Sequence, residues 1–223
     1  MSTKQDYITA VGLLVKGDNL PLGEPEKIFA IDTAVKKYSG HRPREISEDE
    51  VGNGTRDYAI SLLAEWAEGF SEITGVEYPI DTPLIDDEWS IIHKPAGFYL
   101  RIADSPAASQ SMRIFYEALH TCTDDACTIP AYDEAAVQML AAALFCEMLA
   151  AYFAQNQDST IMADAVDHKS KSAEYQARAK AYRANYFSHL GIKDGENPAA
   201  SVTKNQNVDG SYGDRITHSR KFR

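Results

Sequence analysis

The chain has 223 residues, 44% of them apolar and 25% charged, and a formal net charge of −11 at pH 7. These are the proportions of an ordinary soluble globular protein, long enough for a real core. The excess of acid argues against a body that grips nucleic acid, because phosphate binding needs clustered cations.

Residues 6–16 combine Tyr7, Ile8, Val11, Leu13, Leu14 and Val15 with Gly12, and read as a short helix or an apolar strand. Pro21 and Pro25 bracket a break, after which Glu24-Pro25-Glu26 opens a clear helix. Its apolar residues Ile28, Ile31, Ala34, Val35 and Tyr38 recur at helical spacing, and Gly40 ends it. From about residue 55 to 120 the pattern shortens. Tyr58–Leu62 predicts a strand leading into a short helix over 63–70, and Ser71–Pro79 alternates as a strand. Residues 89–93 and 98–102 flank Lys94-Pro95-Ala96-Gly97 as a hairpin, and 112–120 forms a further strand.

Ile129-Pro130 then starts a helix over Ala131 to Gln155, with Asp133 and Glu134 in its first turn. Its run from Ala135 to Ala154 approaches membrane-spanning length, but Gln138 and Glu147 interrupt it and alanine dominates. A central buried helix is the expectation, with no membrane partner. A second, charge-laced helix covers Asp167 to His189 and stops at Gly191. Its basic stripe reads first as a solvated face with ion pairs such as Glu174–Arg178. Tyr175, Arg178, Tyr182 and Arg183 are the candidates for an oligomer interface, where Tyr and Arg are favoured anchors.

Motifs for chemistry are sparse. His120, Cys122 and Cys127 offer three potential zinc ligands within eight positions, yet no second knuckle supplies a fourth. They carry the rival reading, a zinc module or metal-dependent enzyme. The bland reading is a loop with two thiols, or a disulfide if the protein leaves the cell. Cys146 reads as a small core residue. The acidic pairs at 86–88 and 124–125 suit solvated loops better than catalysis. Phosphate-cradling glycine loops and nucleophile elbows are missing, so no enzyme activity and no cofactor are expected. Three cysteines make no disulfide framework, and Met1–Asp6 shows no secretory pattern, so synthesis in the cytoplasm is expected.

The last segment loses all hydrophobic periodicity. Residues 191–223 hold six Lys/Arg against four Asp/Glu, a net of +2 that leaves −13 on residues 1–190. Too few apolar groups are present to offset ordering entropy, so this composition suits an arm that orders on a partner. From Arg215 onward it carries four cations, no acid, and the apolar anchors Ile216 and Phe222.

Four segments in this order resemble the head–tail adaptor (connector, or head-completion) family of tailed bacteriophages. They are Ala30–Ser39, Phe70–Pro79, Asp167–Tyr186 and the terminal Gly213–Arg223. The resemblance implies a subunit of a homo-oligomeric ring of twelve copies in the virion neck, below the portal protein and above neck or tail-completion proteins. Genome DNA would pass through without specific binding. It further implies a helical bundle whose C-terminal arm docks on the portal through Arg215, Ile216, Thr217, His218, Arg220, Lys221, Phe222 and Arg223. The β-rich stretch is larger than the smallest adaptors carry.

The expected fold is therefore α+β: mainly a helical bundle with a small antiparallel β insertion and an extended C-terminal arm. Its expected divisions are a helical segment at 1–54, the β-rich insertion at 55–120, a helical core at 121–190 packing on 1–54, and the arm at 191–223.

Overall fold

The computed structural model describes residues 2–16, 20–85, 87–155 and 168–193. Helix α1 (Lys4–Leu14) opens on a capping box. Thr3 Oγ1 accepts the Asp6 N–H, and the Asp6 carboxylate accepts the Thr3 N–H. That reciprocal cap settles the helix-or-strand ambiguity of residues 6–16. Helix α2 (Glu24–His41) starts with Pro25 in its first turn and with the Gly23 N–H bonded to the Glu26 carboxylate at 2.8 Å.

Helix α3 (Glu134–Gln155) is the axis of the helical layer. Ala136, Val137, Leu140, Ala141, Ala142, Ala143, Phe145, Cys146, Leu149 and Ala150 are buried along it. Helix α4 (His168–Leu190) lies against α3, where Ser172 Oγ donates to the Ala150 carbonyl at 2.9 Å, while α1 and α2 cover other sides. Five of those buried positions, 136, 141–143 and 150, are alanine, which allows helices to approach closely. Among the described residues α3 is the one helix long and apolar enough to cross a membrane, and 56% of its apolar window is buried within this fold. Burying each large side chain such as Phe145 or Leu149 contributes about 1.5–3 kcal/mol.

The β layer consists of two three-stranded antiparallel sheets. The first has the order β1-β6-β3, with β1 at Arg44–Val51, β3 at Ile73–Glu77 and β6 at Ser111–Ala118. The second has the order β2-β5-β4, with β2 at Asp57–Ala59, β4 at Trp89–Lys94 and β5 at Gly97–Ile102. Tyr58, Leu100 and Ile102 of one sheet share an apolar cluster with Val76, Met112, Ile114 and Tyr116 of the other. The hairpin at 89–102 turns through Gly97, whose φ of 129° only glycine adopts without strain.

Three expectations need correction. The described residues form four helices beside two small antiparallel sheets, so the protein is mixed α+β and the mainly helical balance is not confirmed. Part of that difference is β1, a strand inside the stretch 1–54 that was read as helical. Four acids in Arg44-Glu45-Ile46-Ser47-Glu48-Asp49-Glu50-Val51 mask it, since acids are poor strand formers. No helix forms over 63–70. A single 3-10 turn at Ile60–Leu62 is followed by turns, with Gly69 at φ 80° and the Ala67 N–H taken by Ser71 Oγ.

Candidate functional site

The densest polar arrangement lies where α2, α3 and α4 meet. Asp133, just before α3, is 2% exposed. Its carboxylate accepts the Tyr38 hydroxyl at 2.6 Å, the Arg42 guanidinium at 2.8 and 3.0 Å, and His189 Nε2 at 2.8 Å. Burial pushes the Asp133 carboxyl up, but the hydrogen bonds from Tyr38, His189 and Arg42 outweigh that and hold it below its ordinary value. Beside it His41 Nδ1 meets the Tyr186 hydroxyl at 2.7 Å, and burial, then Lys37, hold His41 below the usual histidine range. Sequence reading placed Asp133 only as a first-turn acid. The pairing of Pro130 with an acid three residues on was the available signal, since the Asp133 N–H closes a turn on the Pro130 carbonyl. His189 carried none. Chemically the arrangement is a knot that fixes the last turn of α4 to the end of α2.

The four interface candidates on α4 fall in different places. Tyr175 is buried, with its ring stacked on Phe153 at 5.6 Å, and the Tyr182 hydroxyl donates to the Leu14 carbonyl at 2.8 Å. Arg178 pairs with Glu174 one turn earlier and lies over the Tyr175 ring, while Arg183 pairs with Glu147 of α3. All four thus make contacts within the chain. Between α2 and α3 an open apolar groove of about 310 Å³ is lined by Phe29, Thr33, Leu144, Glu147, Met148 and Ala151.

The proposed zinc trio is not arranged as a site. Cys122 and Cys127 are joined to each other as a disulfide, and His120 Nδ1 lies 3.2 Å from both the carbonyl and the hydroxyl of Thr128. A disulfide sulfur has no thiolate to give a metal. Among the described residues no three of His, Cys, Asp and Glu form a group that could hold a metal ion. The 122–127 loop instead receives the start of the chain: the Lys4 N–H donates to the Thr123 carbonyl at 2.9 Å, and the Cys127 N–H to the Ser2 carbonyl at 2.8 Å. Cys146 is buried, and burial raises its thiol to about 11, so it is an inert core residue.

No known family's profile matches the chain, and no curated protein matches it. It is similar to a solved chain. That chain belongs to a structure described as the neck of an empty GTA particle computed with C6 symmetry. The two are 13% identical, with 86% of this chain and 92% of that chain covered and a TM-score of 0.26. A likeness of this size does not establish a common fold.

The arm residues Arg215, Ile216, Thr217, His218, Arg220, Lys221, Phe222 and Arg223 lie outside the described residues. The described chain ends at Lys193, four residues beyond His189 in the Asp133 knot. Gly191, at φ 72°, turns the chain out of α4, and the Ile192 N–H caps it on the Phe187 carbonyl at 3.2 Å.

Proposed function

We propose that this protein is a non-catalytic structural subunit of a tailed-phage head–tail connector, attached to the portal through its C-terminal arm. The observation that carries the reading is the fixed root of that arm. His189 and Arg42 share the buried Asp133 carboxylate, so a basic tip leaves an acidic body from a corner defined by three helices. Two of the four segments that resemble the adaptor family, Ala30–Ser39 and Asp167–Tyr186, lie in or at the edges of α2 and α4, the helices tied at that corner. A short peptide that orders on binding gains its partner's surface at an entropic cost, and a ring of copies multiplies weak contacts into firm attachment. In this reading the ring has twelve copies and sits in the virion neck between portal and neck or tail-completion proteins. The protein is made in the host cytoplasm, and the −13 carried by residues 1–190 repels passing DNA. The zinc reading is not retained, because its two sulfurs bond to each other.

The test is a chain ending at Asp214, assayed for attachment to portal-bearing capsids. Attachment is expected to be lost while the far-ultraviolet circular dichroism stays that of the full chain. Attachment at full-chain level by the shortened protein would end the docking-arm reading.

A further inference from the structure

Among the described residues the sheet β1-β6-β3 leaves β1 as an open edge. The Gly52 N–H donates to the Gln110 carbonyl at 2.8 Å, which fixes the phase of the ladder in the register Glu50↔Met112, Glu48↔Ile114, Ile46↔Tyr116. Residues 46, 48 and 50 therefore bond β6, and Glu45, Ser47, Asp49 and Val51 turn their N–H and C=O groups outward. Among the described residues none of those outward groups has a backbone partner. The strand is eight residues long, and its register with β6 shows no bulge, so charge is what guards its edge. It is also acidic: Glu45, Glu48, Asp49 and Glu50 against Arg44. The Glu48 carboxylate accepts the Ala64 N–H and the Tyr116 hydroxyl, and Asp49 pairs with Arg113, while Glu45 and Glu50 have no ion-pair partner among the described residues.

The described chain ends near the start of that edge, ahead of the basic terminal segment of the sequence. Arg42, two residues before β1, shares Asp133 with His189, four residues before Lys193. Twenty-one residues, 194–214, separate Lys193 from Arg215. That length reaches at most about 70 Å, against about 27 Å for β1, so the tip can lie along the strand in either direction. Arg215–Arg223 is nine residues with four cations and no acid, and Ile216, His218, Arg220 and Phe222 alternate with Thr217, Ser219 and Lys221. Closing a loop of that size adds only a modest entropic cost, because the cost grows with the logarithm of length.

We propose that in the unassembled protein Arg215–Arg223 adds as an outer strand to the open edge of β1 of its own chain, and leaves that edge when it meets its docking partner. Main-chain bonds to Glu45, Ser47, Asp49 and Val51 supply the affinity, and the acids of β1 select a basic strand. The pairing covers an edge that otherwise invites aggregation, and it keeps a cationic tip off nucleic acid. The strand contact stands without the attachment reading; its role as a parked state rests on it.

Amide hydrogen exchange of the 44–51 stretch, compared between the full chain and the chain ending at Asp214 in 0.15 M salt, tests the contact. Exchange at Glu45, Ser47, Asp49 and Val51 is expected to be at least tenfold slower in the full chain. The difference should shrink in 1 M salt and in a full-length E45K/S47K variant, whose substitutions sit on exposed side chains. Equal exchange in the two chains overturns the proposal and leaves the acids as simple edge protection. Protection that rises with protein concentration also overturns it, since the occupant would then be the tip of a second copy. Failure of the attachment reading is seen separately, as capsid attachment that survives the truncation while the exchange difference remains.

Discussion

Asp133 has the most to lose of any single residue. Its carboxylate is nearly dry and holds three side chains from two other helices. Replacing it with Asn keeps the shape but removes the charge facing Arg42, and turns an amide N–H₂ toward donors. Breaking a buried pair by neutralising one partner costs about 3–5 kcal/mol, reduced here because Arg42 is 42% exposed. Asp133→Asn is therefore expected to cost about 2–4 kcal/mol in urea unfolding at pH 7. A loss below about 1 kcal/mol would mean that water replaces the carboxylate, and the knot would not be what fixes the end of α4. The same variant should lose less further stability than the native chain between pH 4 and 2. The native carboxyl sits below its unfolded value, so its contribution is present above that value and disappears as pH falls through the folded one.

At the scale of elements, two glycines predict opposite outcomes. Gly52 ends β1 with its N–H bonded to Gln110. A Cβ there would stand 2.3 Å from the Ala107 carbonyl oxygen and under 3.0 Å from those of Gln110 and Pro106. Backbone oxygens cannot swing aside, so Gly52→Ala should cost about 1–3 kcal/mol. Gly40 lies in the last turn of α2 with nothing within 4 Å of the added carbon, so Gly40→Ala should stabilise by about 0.5–1 kcal/mol. Thermal unfolding of both variants checks the pair, and a common sign would refute the steric argument. The same contrast explains what could be read from the sequence. Helices α2, α3 and α4 were legible because Pro25, Pro130 and Gly191 punctuate long periodic runs. The 89–102 hairpin was legible from its Pro and Gly turn. Strand β1 was not, because its inward side carries only Ile46 as an aliphatic residue, and Glu48 is placed there to accept the Tyr116 hydroxyl. The absent helix over 63–70 failed for a related reason: its apolar residues Leu63 and Trp66 pack into the β core without needing a helical period. The Asp133 knot was hidden because Arg42, Tyr38 and His189 lie 91, 95 and 56 positions from Asp133 in sequence.

Across the whole molecule, buried titratable groups set a stability profile with pH. Burial holds His41 and His120 below the usual histidine value, so the fold prefers them neutral. Their contribution is complete above the unfolded value of about 6.5 and is lost as pH falls through the folded ones. Asp133 adds a second loss at lower pH, and bidentate Arg113 does the same for the exposed Asp49. On the alkaline side burial raises the Cys146 thiol to about 11 and the Tyr116 hydroxyl to about 12, and it also raises Tyr7, Tyr38 and Tyr186. These groups favour the fold while protonated, so their contribution fades as pH climbs past their unfolded values, about 8.5 for the thiol and about 10 for the hydroxyls. One term runs the other way on acidification: the net charge of −11 shrinks toward the pI near 5.0, relieving self-repulsion. At 0.15 M salt, exposed charges are screened beyond about 8 Å, whereas buried His120 and half-buried His41 are screened much less, so the local terms win. Urea midpoints at 0.15 M salt should therefore be highest between about pH 7 and 8.5, lower at pH 5.5, lower again at pH 3.5, and lower at pH 10. A midpoint at pH 5.5 above that at pH 8 would show that surface repulsion outweighs the desolvated histidines.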